Sequence, residues 1–213
     1  RRRATDNEQA AGRGVRGVHE PVDGETFAAR NRGDFPSVRA CVEYIVKRLG
    51  AEVRAEQVDE AVQARMEYVR ASLRPRPDAV ETLQRLKAAG MRTALVSNCS
   101  LELPVLWPQC ELAAWIDVAI LSSAVGLRKP DPAIYRLACD GLGVPPRECL
   151  YVGDGDDGEL EGARGVGMDV VLIRVPTEDP SDAFRRVDLP WKGTRIERLS
   201  DVLPLVLKEQ GES

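Results

Sequence analysis

Histidine is almost missing: His19 is the only one among 213 residues. That argues against a histidine-rich metal centre and against a Ser-His-Asp relay. The five cysteines, Cys41, Cys99, Cys110, Cys139 and Cys149, are odd in number and lack framework spacing. A disulfide-stapled secreted domain is therefore not expected, and a reduced, cytoplasmic protein is. No apolar run approaches the ~20 residues of a membrane span, and no signal-peptide pattern is visible. The net charge of −4 leaves no basic footprint for nucleic acid. Neither a membrane nor a nucleic acid is expected as a partner.

What is present is the composition of a globular protein, with 43% hydrophobic and 30% charged residues. The length allows one core with a small accessory domain. Residues 1–26 read as an irregular basic segment, with Arg1, Arg2, Arg3, Arg13 and Arg16 among Gly, Ala and polar residues. Its "GRGVRG" has G-x-G-x-x-G spacing, but no strand precedes it and no helix follows. Helical periodicity then begins at Ser37, with Val38, Cys41, Val42, Ile45, Val46 and Leu49 on one face. A second helical stripe near 55 to 73 carries Val58, Val62, Met66, Val69 and Leu73. The break "RPRPD" at 74 to 78 marks a junction. These signals divide the chain into 1–26, a helical cap at 27–75 and a core at 76–213.

Within the core, apolar strands alternate with amphipathic helices. "RTALVSN", "DVAILSS", "CLYVGD" and "DVVLIRV" read as strands. "DAVETLQRLKAAG", "DPAIYRLACDGLG", "ELEGARGVG" and "SDVLPLVLKE" read as helices. This order predicts an α/β fold, a doubly wound parallel sheet. In such sheets the site lies at the carboxyl ends of the strands. The rule selects Ser97 and Asn98, then Ser122 and Ser123 with Lys129 downstream, and then the acids after Gly153. Asp154, Asp156, Asp157 and Glu159 crowd into "DGDDGE", and like charges so close repel unless something offsets them. Mg²⁺ would do so, since it takes carboxylate oxygens and keeps waters for a substrate phosphate. A lysine and a hydroxyl would hold phosphate oxygens.

Other motifs fail on spacing. An EF-hand counted from Asp154 would need Gly at position 6 and Glu at position 12, where Glu159 and Gly165 stand. No G-x-x-x-x-G-K-[ST] occurs. A receiver domain carries its acidic pair early in the chain, whereas here the acids come last.

The order of these segments resembles the haloacid dehalogenase superfamily of hydrolases, in the branch with a small helical cap. "ALVSNCS" resembles the second motif, "GLRKPDPAIYRLA" the third and "YVGDGDDGELEGARGVGM" the fourth. The resemblance implies a Rossmann-like core in which Ser97 and Asn98 hold a phosphoryl group and Lys129 pairs with it. It implies that Asp154 and Glu159 anchor Mg²⁺, with Asp157 competing for the second place, and leaves Asp156 a solvated loop acid. The first motif, D-x-D-x-[TV] on the central strand, supplies the family's nucleophile and is not found. The resemblance puts it upstream of the cap, near or before Arg1. The nearest candidate is Asp23 in "PVDGETF", where Pro21 would interrupt a central strand. The function expected is a Mg²⁺-dependent phosphatase for a small phosphorylated molecule. The alternatives are a catalytically silent module that binds a metal, a phosphorylated ligand or a protein, and a 2-haloacid dehalogenase.

Overall fold

The computed structural model describes residues 19–175 and 191–207, with side chains from Thr26 onward. Helix α1 runs His19–Arg32 and so crosses the boundary expected at residue 26. Periodicity missed it because it has no apolar stripe, and Pro21 is tolerated because it falls in the first turn. Asp23 lies within this helix, not at the end of a strand, which removes the placement a nucleophile would need. Gly33 ends the helix at φ +74°, and a Cβ there would lie 2.1 Å from the Ser123 carbonyl oxygen. The C-terminal end of α1 is thereby pressed against the core.

Helices α2 (Val38–Arg48) and α3 (Ala55–Ser72) pack against each other as a helical hairpin. Ser37 caps α2 by accepting the Ala40 N–H at 3.1 Å. Cys41 and Val58 are its buried contacts, and Arg39 bridges Glu43 and Asp59 across it. The chain then enters α4 (Ala79–Ala88). Asp78, just before α4, accepts the Ser200 N–H at 2.8 Å and ties this helix to the C-terminal turn.

The remaining elements are β1 (Ala94–Ser97), α5 (Glu102–Leu106), β2 (Val118–Leu121), α6 (Ser122–Val125) and α7 (Pro132–Leu142). They continue as β3 (Leu150–Gly153), α8 (Glu159–Gly165), β4 (Asp169–Ile173), β5 (Arg195–Ile196) and α9 (Leu203–Val206). The strands pair in parallel, as the alternation predicts, but in two separate sheets, β1–β2 and β3–β4–β5. The two-residue β5 was not anticipated, since it is too short to show a period. The expected terminal helix is a 3₁₀ turn at Leu199–Val202 followed by α9, with Pro204 in its first turn.

Helices cover both faces. Ile134, Tyr135, Ala138 and Cys139 of α7 and Ala163 of α8 pack against Val96 of β1, Ile120 of β2, Tyr151 of β3 and Val170 of β4. One helix layer thus serves both sheets. The opposite face of β3–β4–β5 packs Leu150, Val152, Val171, Ile173 and Ile196 against Leu86 of α4 and Leu203 of α9. Leu150 and Val152 facing one way and Tyr151 the other is the period-2 alternation of a strand covered on both sides.

Candidate active site

Ser97, the last residue of β1, is registered with Leu121 at the end of β2. The segment that follows is held by serines. Ser122 Oγ accepts the Cys99 N–H at 2.9 Å and donates to the Cys99 carbonyl at 3.1 Å. Ser123 Oγ donates to the Ser100 carbonyl at 3.2 Å. Ser122 is fully buried, so these bonds set the loop without competition from water.

Asn98 is the hub. Its Nδ2 donates to the Lys129 carbonyl (3.1 Å) and to Asp157 Oδ2 (2.7 Å), and its Oδ1 accepts the Lys129 N–H (2.8 Å). One amide thus joins three strand-end loops. The peptide between Lys129 and Pro130 is cis.

The acidic loop does not act as one cluster. Glu159 is 3% exposed and turned inward. Its Oε2 accepts Lys129 Nζ at 2.5 Å and the Tyr151 hydroxyl at 2.7 Å, and its Oε1 accepts the Gly155 N–H at 3.0 Å. Tyr135 donates its hydroxyl to the Glu159 carbonyl at 2.9 Å. Gly153 makes room for this, because a Cβ there would lie 2.1 Å from Glu159 Oε1. Burial, reinforced by the Glu159 charge, pushes both phenols above their ordinary range, so Tyr135 and Tyr151 remain donors. Asp157 takes a left-handed backbone (φ +53°) and faces Asn98, with Arg128 at 3.7 Å. Asp154 Oδ1 accepts the Asp156 N–H at 3.2 Å.

This arrangement answers the crowding. Glu159 turns to Lys129, and Asp157 turns to Asn98 and Arg128. Among the described residues no three His, Cys, Asp or Glu side chains are grouped to hold a metal. The expected pair, Asp154 with Glu159 or in its place Asp157, is smaller than such a group. Both Glu159 oxygens have donors and Asp157 faces Asn98, so either acid would exchange a protein donor for the ion. Ser97, Asn98, Lys129 and Asp154 stand at the loops where the strand-end rule put them. Tyr135 and Tyr151 were missed. Tyr151, two residues before Gly153 on β3, shares that residue's face of the strand, which is the cue that could have found it.

Fold and loops together define a Rossmann-like hydrolase of the haloacid dehalogenase type. A sequence model of the haloacid dehalogenase-like hydrolases matches residues 4–167, and the chain belongs to that family. It is 32% identical over 163 residues to a glyceraldehyde 3-phosphate phosphatase of Methanopyrus kandleri, covering 76% of this chain and 69% of that protein. It is 35% identical over 133 residues to (S)-2-haloacid dehalogenase 4A of Burkholderia cepacia, covering 62% of this chain and 55% of the relative. A haloacid dehalogenase-family enzyme of Bacteroides thetaiotaomicron, solved with magnesium and inorganic phosphate, superposes with a TM-score of 0.56. At 19% identity, covering 75% of this chain and 79% of that one, this last likeness speaks for the fold alone.

Proposed function

We propose that this protein is a phosphatase acting on a small phosphomonoester, with the phosphoryl group bound between the ends of β1 and β3. The observation that carries the reading is the Asn98 hub, which joins the Lys129 backbone to the loops after β1 and β3, with the Lys129 ammonium held at Glu159 beside them. The similarity to a glyceraldehyde 3-phosphate phosphatase supports it.

In this reading Lys129 neutralises charge that develops on the transferring group. Glu159 and Tyr151 fix where the ammonium sits. Asn98 orients the phosphoryl oxygens, and the Ser97 hydroxyl donates to them. The hairpin of α2 and α3 acts as the cap that closes over the substrate and excludes water. An aspartyl-phosphate route requires a carboxylate nucleophile in line with the phosphorus. Among the described residues no strand lies between β1 and β3 to carry one. Magnesium would be held by Asp154 with Glu159 or Asp157 and would offset charge on the phosphoryl group.

The split between the sheets favours a second reading, a silent module that binds phosphate without turnover. The engagement of Glu159 by Lys129 and of Asp157 by Asn98 also weakens the objection to a metal-free dehalogenase, the activity named for the Burkholderia relative. One assay separates the three: hydrolysis of an aryl phosphate, with Mg²⁺ and with chelator, beside Asp154→Asn and Lys129→Met. Aryl phosphate turnover that is lost in both variants supports the phosphatase, and its loss in chelator assigns the ion to it. Phosphate binding without turnover supports the silent module. Release of halide from a 2-haloacid in chelator supports the dehalogenase.

A further inference from the structure

The junction between α1, the hairpin and α5 holds a group of charges that the site above does not use. Glu102, on α5, is 2% exposed. Its Oε1 accepts Arg65 Nε of α3 at 2.7 Å, and its Oε2 accepts the Ser100 hydroxyl. Burial works to raise the Glu102 carboxyl, but the bonds from Arg65 and Ser100 outweigh it and hold it below the usual carboxylate range. Glu102 is therefore an anion whose charge is matched by Arg65.

Arg30, near the end of α1, has no such match. Its Nε is buried and meets no acceptor. A buried guanidinium donor without an acceptor is costly and calls for a missing partner. Two observations place it at the same junction. The Cys41 thiol, raised mainly by burial, also feels Arg30, Glu102 and Arg65, so all three charges lie within electrostatic reach of it. Gly33, one turn beyond Arg30, presses on the Ser123 carbonyl, and Ser123 holds Ser100. Of the two guanidinium groups, Arg65 takes the carboxylate of Glu102, and Arg30 Nε is left without an acceptor.

We propose that this junction is an anion-binding site in which Arg30 takes the carboxylate or phosphate oxygens of a small acidic ligand. A guanidinium edge presents two parallel N–H groups, which fit such an oxyanion in bidentate fashion. Glu102 keeps Arg65 engaged and leaves Arg30 as the residue that takes the ligand. The site needs neither Lys129 nor the acidic loop, so it stands or falls apart from the phosphatase reading.

The test is a titration of the full chain with malonate and, separately, with inorganic phosphate, following the arginine Nε–H resonances. A buried Nε–H exchanges slowly enough to be seen, and the Arg30 signal is assigned by its loss in Arg30→Lys. The expected result is a saturable shift of that signal, with calorimetric affinity at least about tenfold weaker in Arg30→Met. A response to malonate alone identifies a carboxylate ligand, and a response to phosphate alone a phosphate group. The malonate response should survive in Lys129→Met. If neither anion moves the signal, or if binding is unchanged in both Arg30 variants, the site is overturned. Loss of the malonate response in Lys129→Met also overturns it, because the anion would then be in the other site. Should Arg30→Met fail to fold, Arg30→Lys serves alone, with weakened binding expected.

Discussion

The two sheets are built from similar strands but are buried differently. In β4 of the larger sheet, Val171, Leu172 and Ile173 are buried in succession. In β1 of the smaller sheet, all four residues are only half-buried, although helices pack over it. A strand in the middle of a doubly wound sheet should be the most enclosed. Half-burial of β1 and the missing ladder to β3 are two views of one gap. What joins the sheets instead is α7, which spans both, and two side-chain bridges, Lys129 to Glu159 and Asn98 to Asp157. The site residues are therefore also what connects the two sheets.

Breaking the stronger bridge should have the largest effect. Glu159→Ala leaves the Lys129 ammonium, 13% exposed, without its counter-charge, and leaves the Tyr151 hydroxyl without its acceptor. Removing one partner of a buried pair costs about 3–5 kcal/mol, to be read by denaturant unfolding. Glu159→Gln with Lys129→Met removes both charges and should recover much of that loss. If the single variant is as stable as the parent, the bridge does not join the sheets.

Asn98→Ala comes next. It removes three bonds at once, two of them to the Lys129 backbone. A loss of about 1–3 kcal/mol is expected. The sharper reading is hydrogen exchange: amides of β1 and β2 should lose protection before those of β3 and β4. Equal loss in both sheets would mean that Asn98 supports the fold as a whole.

How much of this was legible beforehand depends on what each inference needed. The four longer strands, the hairpin and the strand-end positions of Ser97, Asn98, Lys129 and Asp154 follow from periodicity and from the geometry of parallel sheets. Helix α1 did not, because it buries Thr26 and Asn31 and carries no apolar stripe. The orientation of Glu159 did not either. Spacing puts an acid five residues after Asp154, but a rotamer decides whether it faces solvent or Lys129. The missing Cβ at Gly153 and the hydroxyl of Tyr151 decide that rotamer, and both are tertiary facts. The division of the sheet was legible only as an absence, the lack of an apolar strand upstream of the hairpin.

Acid should weaken both sheets through different carboxylates. In the smaller sheet, Asp117 accepts Lys87 Nζ and the Thr93 N–H, both at 2.8 Å, and these bonds hold its carboxyl below the usual range. Behind the larger sheet, burial works to raise Asp78, but the Ser200 N–H and hydroxyl, its own backbone N–H and the Arg76 charge together outweigh it, and the net direction is again downward. A carboxyl depressed in the folded state contributes fully above its unfolded value of about 3.9, and that contribution is lost as pH falls through the folded value. The stability gap between the parent and Asp117→Asn should therefore close as pH drops below about 4. The gap to Asp78→Asn should close likewise. A gap independent of pH would show that the ionised carboxylates are not what these bonds use.

The smallest expected effect concerns the one helix that serves both sheets. Asp131 caps α7 by accepting the Ala133 N–H at 2.8 Å, and Pro132 occupies the first helical position, where no donor is lost. Asp131→Ala should cost about 1 kcal/mol, the usual value of a lost N-cap. Because Tyr135 and Ile134 lie within the first turns of α7 and are fully buried against both sheets, fraying should not stay local. Exchange protection should fall on β1 and β3 together, in contrast to Asn98→Ala, which should spare β3. A loss confined to the helix end would mean that packing across the gap holds α7 in place without its cap, and that the two sheets depend on the Lys129–Glu159 and Asn98–Asp157 bridges more than on their shared helix.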